Sequence, residues 1–252
     1  MTSDLEHTFA SDEAAPPPDT GDKPKIALAI AAHPDDADFG CSGTAKLWTD
    51  AGWEFYFLVC TDGSKGTSDA QLTSDRLVPM RQREQRAAAE VAGVKDVFFL
   101  EGHVDGELTP SRKLLGDIVR IIRQVRPYAV FTHEPSQLFH RNGFVNHSDH
   151  RTTGLVTVDA IYPTARDRLN FPEQIDEGLE THNVKEIMIW GNDNPNYAVD
   201  ITDAVETKIQ GLLRHASQFG EGAEFLKFVR ERWKDKDDGR YYERFRRITM
   251  FR

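Results

Sequence analysis

The chain has 252 residues, 39% of them hydrophobic, and 31 Lys and Arg against 41 Asp and Glu give a formal net charge of −10. That length can bury a sizeable core in one α/β domain with appendages. The acidic balance argues against a footprint on nucleic-acid phosphates and against a basic membrane-binding face.

Residues 1–24 are rich in Asp, Glu, Ala, Thr and Pro and have no periodic apolar face; they read as a disordered tail ahead of a single domain at 25–252. No apolar run approaches the ~20 residues of a membrane span, and the N-terminus lacks the basic and apolar regions of a secretory signal, so a cytoplasmic location is expected. From Lys25 onward strand and helix alternate: strand 25–32, helix 41–51, strand 54–60, helix 77–92, strand 96–100, helix 111–125 and strand 128–132. In the third helix Leu114, Leu115, Ile118, Ile121, Ile122 and Val125 recur at three- and four-residue spacing. Such alternation implies a Rossmann-like, doubly wound, mostly parallel sheet with right-handed crossovers and helices on both faces. After His147 the pattern predicts a helix to Tyr162, an irregular 164–183, strands at 184–190 and 197–201, a helix to about 219 and a helix-compatible 222–237. The end, with Arg244, Arg246, Arg247 and Arg252 alternating with Phe and Ile, reads as a C-terminal extension. Cys41 and Cys60 lie in or beside apolar segments, as buried thiols do.

The first strand, Ile26 to Ala32, empties within one residue into His33-Pro34-Asp35-Asp36. Pro34 restricts His33 to extended geometry and stops the strand, placing imidazole and carboxylate at a strand's C-terminal end, where open α/β sheets bind ligands. The one comparable cluster is Asn146-His147-Ser148-Asp149-His150. Should His150 join His33 and Asp36, the result is a two-His, one-carboxylate set with room for water, as catalytic zinc sites require. Asp35 then stays free to take a proton from metal-bound water. Each residue alone has a plainer reading: Asp35 or Asp36 as the cap of the following helix, Asp149 as a cap or hydrogen-bond partner.

Ala32-His33-Pro34-Asp35-Asp36 together with His147-Ser148-Asp149-His150 resembles the metal-dependent N-acetylglucosaminyl deacetylase superfamily (LmbE-like), which includes phosphatidylinositol-linked glucosaminide deacetylases and those of mycothiol and bacillithiol synthesis. The resemblance runs from about Lys25 to about Phe219 and takes in Thr61-Asp62-Gly63, Arg81 to Glu84, Asp105-Gly106 and His215 to Gln218. It implies an amide hydrolase acting on an acetylated amino sugar or its conjugate. Zn2+, with Fe2+ as the other candidate, would be held by His33, Asp36 and His150. Asp35 would be the general base, and His147 would stabilise the oxyanion or protonate the amine. Asp149 would hydrogen-bond an imidazole, that of His147 being the expected one, and keep it cationic. Arg81 matches a helical substrate-binding Arg, but its helix also carries Arg83 and Arg86, and a solvated charged face is the other reading. Asp105 matches a loop carboxylate that grips sugar hydroxyls, or is a turn residue before Gly106. Val145 departs from relatives with a Tyr there, and His103, His133 and His140 match no motif.

Two other functions fit part of this pattern. Non-haem Fe(II) enzymes also use two histidines and a carboxylate, though usually on all-β barrels. A non-catalytic nucleotide- or sugar-binding module could use Gly40-x-x-Gly43, but the full Gly-rich fingerprint is missing and Asp35 and Asp36 would repel phosphate. The expected partner is a small acetylated sugar, with no nucleic acid and no membrane span; the oligomeric state, homo-oligomers included, is left open.

Overall fold

The computed structural model describes residues 15–141, 143–219 and 223–250. Five strands, β1 (Ile26–Ala31), β2 (Glu54–Val59), β3 (Asp96–Phe99), β4 (Ala129–His133) and β5 (Glu186–Trp190), pair in parallel. β6 (Tyr197–Asp200) and β7 (Tyr242–Thr249) complete a seven-stranded sheet of order β3-β2-β1-β4-β5-β7-β6, in which β7 is antiparallel to both its neighbours. Helices α1 (Asp36–Asp50), α2 (Ser74–Val91) and α3 (Arg112–Val125) connect the first four strands, and α4 (Ser148–Ile161) and α5 (Pro172–Asp176) lead to β5. Between β6 and β7 come α6 (Val205–Leu212), α7 (Ala216–Phe219) and α8 (Ala223–Arg232).

Helices cover both sheet faces because both faces are apolar. Along β1 the side chains alternate: Leu28 and Ile30 pack with Leu114, Ile118 and Ile122 of α3, whereas Ala27, Ala29 and Ala31 face Trp48, Phe55, Phe57 and Phe131. The small alanines leave room for that aromatic layer. Ser111 opens α3 by accepting the Leu114 N–H at 3.2 Å, and Arg126, left-handed at φ 57°, closes it before Pro127.

Four expectations change. α1 begins at Asp36, not near residue 41, so Gly40 and Gly43 are helical. A Cβ on Gly40 would lie 2.6 Å from the Trp190 ring, and one on Gly43 2.9 Å from Ile201; these glycines serve close packing, not a phosphate turn. The helix expected up to residue 219 breaks between α6 and α7 around Arg214 and His215. Arg244, Arg246 and Arg247 are no appendage but part of β7, inserted between β5 and β6 with Phe245 fully buried and Arg244 facing outward; Arg252 lies outside the described residues. Finally, part of the expected tail is ordered: Ala15 N–H donates to the Ala198 carbonyl at 2.9 Å, Tyr197 Oη to the Pro16 carbonyl at 2.6 Å, and Thr20 is buried. Residues 1–14 lie outside the described residues.

Candidate active site

β1 has β2 on one side and β4 on the other, so the chain reverses its direction of winding between β1 and β4, and a crevice opens beyond their C-terminal ends. His33 follows β1 and His133 ends β4. Asp36 starts α1, and His147, Asp149 and His150 open α4, bringing both sequence clusters to this crevice.

Asp36 lies at its centre. Its Oδ2 is 3.2 Å from His33 Nδ1 and 3.4 Å from His133 Nε2, and its Oδ1 is 3.1 Å from His150 Nε2. On the other side of the His33 ring, Nε2 is 3.1 Å from Asp105 Oδ1 and 3.2 Å from Asp149 Oδ2. Burial disfavours the charged imidazole, but hydrogen bonds to Asp105, Asp149 and Asp36 outweigh it and push the His33 pKa up to about 12. Burial also works against ionised Asp36, yet His150 and His133 hold its pKa well below the ordinary carboxylate range. Three sets of groups bring their ligand atoms within 4.8 Å of one another: His33, His147 and His150; Asp36, His133 and His150; and His33, Asp105 and Asp149. The expected ligands His33, Asp36 and His150 draw on more than one of these sets, and Asp36 joins them.

This donor set fits a divalent cation. Asp105 and Asp149 hold the Nε2–H of His33, so a divalent cation would replace only the Nδ1 proton that faces Asp36, and Nδ1 would then be the ligand nitrogen, as in carboxylate–histidine–metal arrangements. Without a cation, the carboxylates of Asp36, Asp105 and Asp149 crowd a single imidazole.

His133 is the residue that motif reading missed. It is 4% exposed, its ring stacks on that of His150 with centroids 4.2 Å apart, and its Nδ1 accepts the Trp190 indole N–H at 3.1 Å. Its Nε2, 3.4 Å from Asp36 Oδ2, accepts the Ala32 N–H at 3.1 Å, so both ring nitrogens face N–H donors. Burial and the neighbouring His150 lower the His133 pKa to about 4. The signal was positional: His133 ends the strand adjacent to β1. His103 and His140 do not join the cluster; His103 pairs with Asp117 at 2.8 Å and His140 with Asp193 at 3.7 Å.

Asp149 does bond an imidazole, but that of His33 rather than His147. Its carboxylate also accepts N–H groups of Gly106 at 2.6 Å and Leu108 at 3.2 Å, while its own backbone N–H donates to His147 Nδ1 at 3.1 Å. His147 is therefore the N-cap of α4. An imidazole accepting at Nδ1 carries its single proton on Nε2, and burial together with His33 and His150 lowers its pKa. The expected cationic His147 gives way to a neutral ring with an Nε2–H donor.

Asp35 is the N-cap of α1 with φ 104°, a backbone conformation that favours glycine and costs ~1–3 kcal/mol. Its carboxylate, 14% exposed, lies 3.2 Å from Arg81 Nη2. Burial and the adjacent Asp36 raise its pKa to about 6, against the pull of Arg81. Arg81 is 3% exposed, so the solvated-face reading fails: Nη2 donates to the Pro34 carbonyl at 2.6 Å and Nη1 to the Gly63 carbonyl at 3.0 Å. Asp105, also buried, gives Oδ1 to His33 and accepts the Lys65 N–H on Oδ2 at 3.1 Å. Its carboxylate thus supports the cluster as well as the loop. His33, Asp35, Arg81, Asp105, His147 and His150 line a cavity of about 440 Å3 together with Lys65 and Gln218.

Behind the site, α1 is held by a buried ion pair. Lys208 Nζ donates to the carbonyls of Asp38 at 2.6 Å and Phe39 at 2.9 Å, and pairs with Glu243 at 2.6 Å. The Glu243 carboxylate accepts N–H groups of Gly43 at 3.0 Å and Thr44 at 2.7 Å. Two side chains thereby satisfy backbone groups in the middle of a helix.

Residues 28–161 match the family model of GlcNAc-PI de-N-acetylase, PIG-L, which is more than half of the chain. The chain is 34% identical over 197 residues to diacetylchitobiose deacetylase of Thermococcus kodakarensis, covering 78% of this chain and 71% of that protein. It is 27% identical over 235 residues to 1D-myo-inositol 2-acetamido-2-deoxy-alpha-D-glucopyranoside deacetylase of Mycolicibacterium smegmatis, covering 76% of this chain and 79% of that one. Among solved structures, N,N'-diacetylchitobiose deacetylase from Pyrococcus horikoshii, complexed with its inhibitor MPG, superimposes with a TM-score of 0.81 at 32% identity, over 89% of this chain and 84% of that one. The parallel sheet also removes the all-β premise of the Fe(II) alternative. From the matched core, the shared length and the His/Asp cluster at the sheet's switch point, the chain belongs to the PIG-L family of GlcNAc de-N-acetylases.

Proposed function

We propose that this N-deacetylase hydrolyses the acetamide of an N-acetylglucosamine unit in a small sugar conjugate, with Asp35 moving the proton. The observation that carries this reading is the pairing of two adjacent carboxylates with opposite environments: Asp36 is held ionised among imidazoles, while Asp35 has a pKa raised to about 6 and faces the cavity. His33, Asp36 and His150 would hold a divalent ion, Zn2+ or Fe2+, which when bound polarises the amide carbonyl and acidifies the attacking water.

Asp35 is ionised at neutral pH yet basic enough to accept the water proton, and Arg81 keeps its carboxylate aimed along one direction. His147 offers Nε2–H to the oxygen that gains negative charge. Because Nδ1 already accepts the Asp149 N–H, His147 has no second proton to give to the departing amine. Asp35 therefore returns the proton it took: the C–N bond breaks as the amine nitrogen is protonated, and acetate and the free amino sugar leave.

The relatives named above support a substrate of one or two sugar units, and N,N'-diacetylchitobiose is the first to test. The purified protein should contain about one divalent metal ion per site and release amine from this disaccharide, and chelation should abolish turnover until metal is restored. Asp35→Asn should keep the metal and lose about 10²–10⁴-fold in rate. Turnover that survives complete metal removal, or an Asp35→Asn variant as active as the wild type, would sink the reading.

A further inference from the structure

The strained turn at Asp35 is not enforced by glycine, and Pro34 fixes its own φ and restricts His33 but does not set φ of Asp35. It is held from outside. The peptide unit joining Pro34 to Asp35 is gripped at both ends by α2: Arg81 Nη2 donates to its carbonyl at 2.6 Å, and Gln85 Oε1 accepts its N–H at 2.7 Å. Positions 81 and 85 are one helical turn apart, so both side chains reach the same peptide from one helix face. A peptide plane fixed by its carbonyl and by its N–H cannot rotate, and that plane sets φ of Asp35.

Gln85 is fully buried, and its amide has no freedom to reverse. Its Nε2 donates at 2.7 Å to Asp38 Oδ2, which also receives His215 Nε2 at 3.0 Å. The position needs an acceptor toward Asp35 and a donor toward Asp38 on one side chain of this length, and glutamine supplies both. Asp38 and His215 are themselves completely buried, so the anchor is rigid.

We propose that Gln85 is the positioning residue for Asp35: it touches no substrate, and through the Asp35 N–H it holds the carboxylate where it can take the water proton. This rests on the hydrolytic reading in which Asp35 is the base. It also assigns Arg81 to the same clamp, on the carbonyl side.

The test uses the full-length, metal-loaded protein with Gln85→Met, which keeps the volume and deletes both hydrogen bonds, and Gln85→Glu, which keeps the acceptor. Gln85→Met should lower kcat about 10²-fold, the cost of a small misplacement of a reacting group, with KM within about twofold of wild type and metal content unchanged. Gln85→Glu should recover a large part of that loss. In an Asp35→Asn background Gln85→Met should cost nothing further, since the base it positions is gone. A full additional loss in that background, or loss of metal from Gln85→Met, would overturn the proposal in favour of a general structural role; so would wild-type kcat in Gln85→Met. If Gln85→Met does not fold, Gln85→Lys, which keeps a donor toward Asp38 and has no acceptor for the Asp35 N–H, carries the same comparison with and without Asp35→Asn. Hydrogen exchange separates this from the parent reading: even if no acetylated amino sugar is turned over, the Asp35 amide should exchange slowly in wild type and at least about tenfold faster in Gln85→Met, or in Gln85→Lys if Gln85→Met does not fold. Unchanged exchange in the folded variant would remove the clamp itself.

Discussion

Asp149 accepts from His33 with its carboxylate and donates to His147 with its backbone, so one residue sets the protonation of two imidazoles. The motif spacing placed Asp149 beside a histidine; which histidine depended on the first turn of α4, whose N–H groups point back at the capping residue. A third imidazole, far from the site, reports on stability. His182 donates Nε2–H to the Pro127 carbonyl at 2.8 Å, and burial lowers its pKa from 6.5 to about 4. Below pH 6.5 the unfolded chain binds a proton at this residue that the folded chain refuses until about pH 4, so the folded state loses stability as pH falls through that window. His182→Gln, which retains a donor and cannot titrate, should flatten the slope of unfolding free energy against pH between those values, as read by urea titration at several pH values. An unchanged slope would mean that other groups govern it.

At the scale of elements, α1 shows most clearly what pattern reading reaches and what it misses. Its later half was legible from apolar spacing through Cys41, Ala45 and Trp48. Its first turn was not, because Pro34 and the acidic pair after it read as a turn; Asp36 and Asp38 suit a first helical turn, and their side chains go to partners on other segments, Asp36 to imidazoles and Asp38 to Gln85 and His215, while Gly40 admits the Trp190 ring. The Lys208–Glu243 pair belongs to the same class, two charges separated by 35 positions and fully buried. Breaking such a pair from one side leaves an unpaired charge in the interior. Lys208→Met should therefore lose ~3–5 kcal/mol in chemical denaturation, and adding Glu243→Gln should return part of it; a loss below 1 kcal/mol would show that water reaches this ion pair.

For the whole molecule, β1 to β4 were readable because each is a short apolar run followed by a helix. β7 was not. Its alternation of Arg244, Phe245 and Arg246 is a strand's period of two, but nothing local reveals that the strand enters the sheet between two earlier ones. That insertion ties the C-terminal segment to the site, since Glu243 lies on β7 and holds α1. Removing residues 240–252 should thus abolish cooperative unfolding and metal binding together. A truncated chain that stays soluble and binds metal would contradict this linkage.

The same insertion orders events in time. β1 to β5 can pair as they emerge, whereas among the described residues β6 has β7 as its only strand partner, and β7 is made last of the seven. Until residues 242–249 are available, β5 presents an open edge and α1 lacks the carboxylate that satisfies Gly43 and Thr44. A nascent chain therefore carries both halves of the metal cluster before it can lock them, and the interval before β7 docks is when it is most exposed to mispairing at that edge.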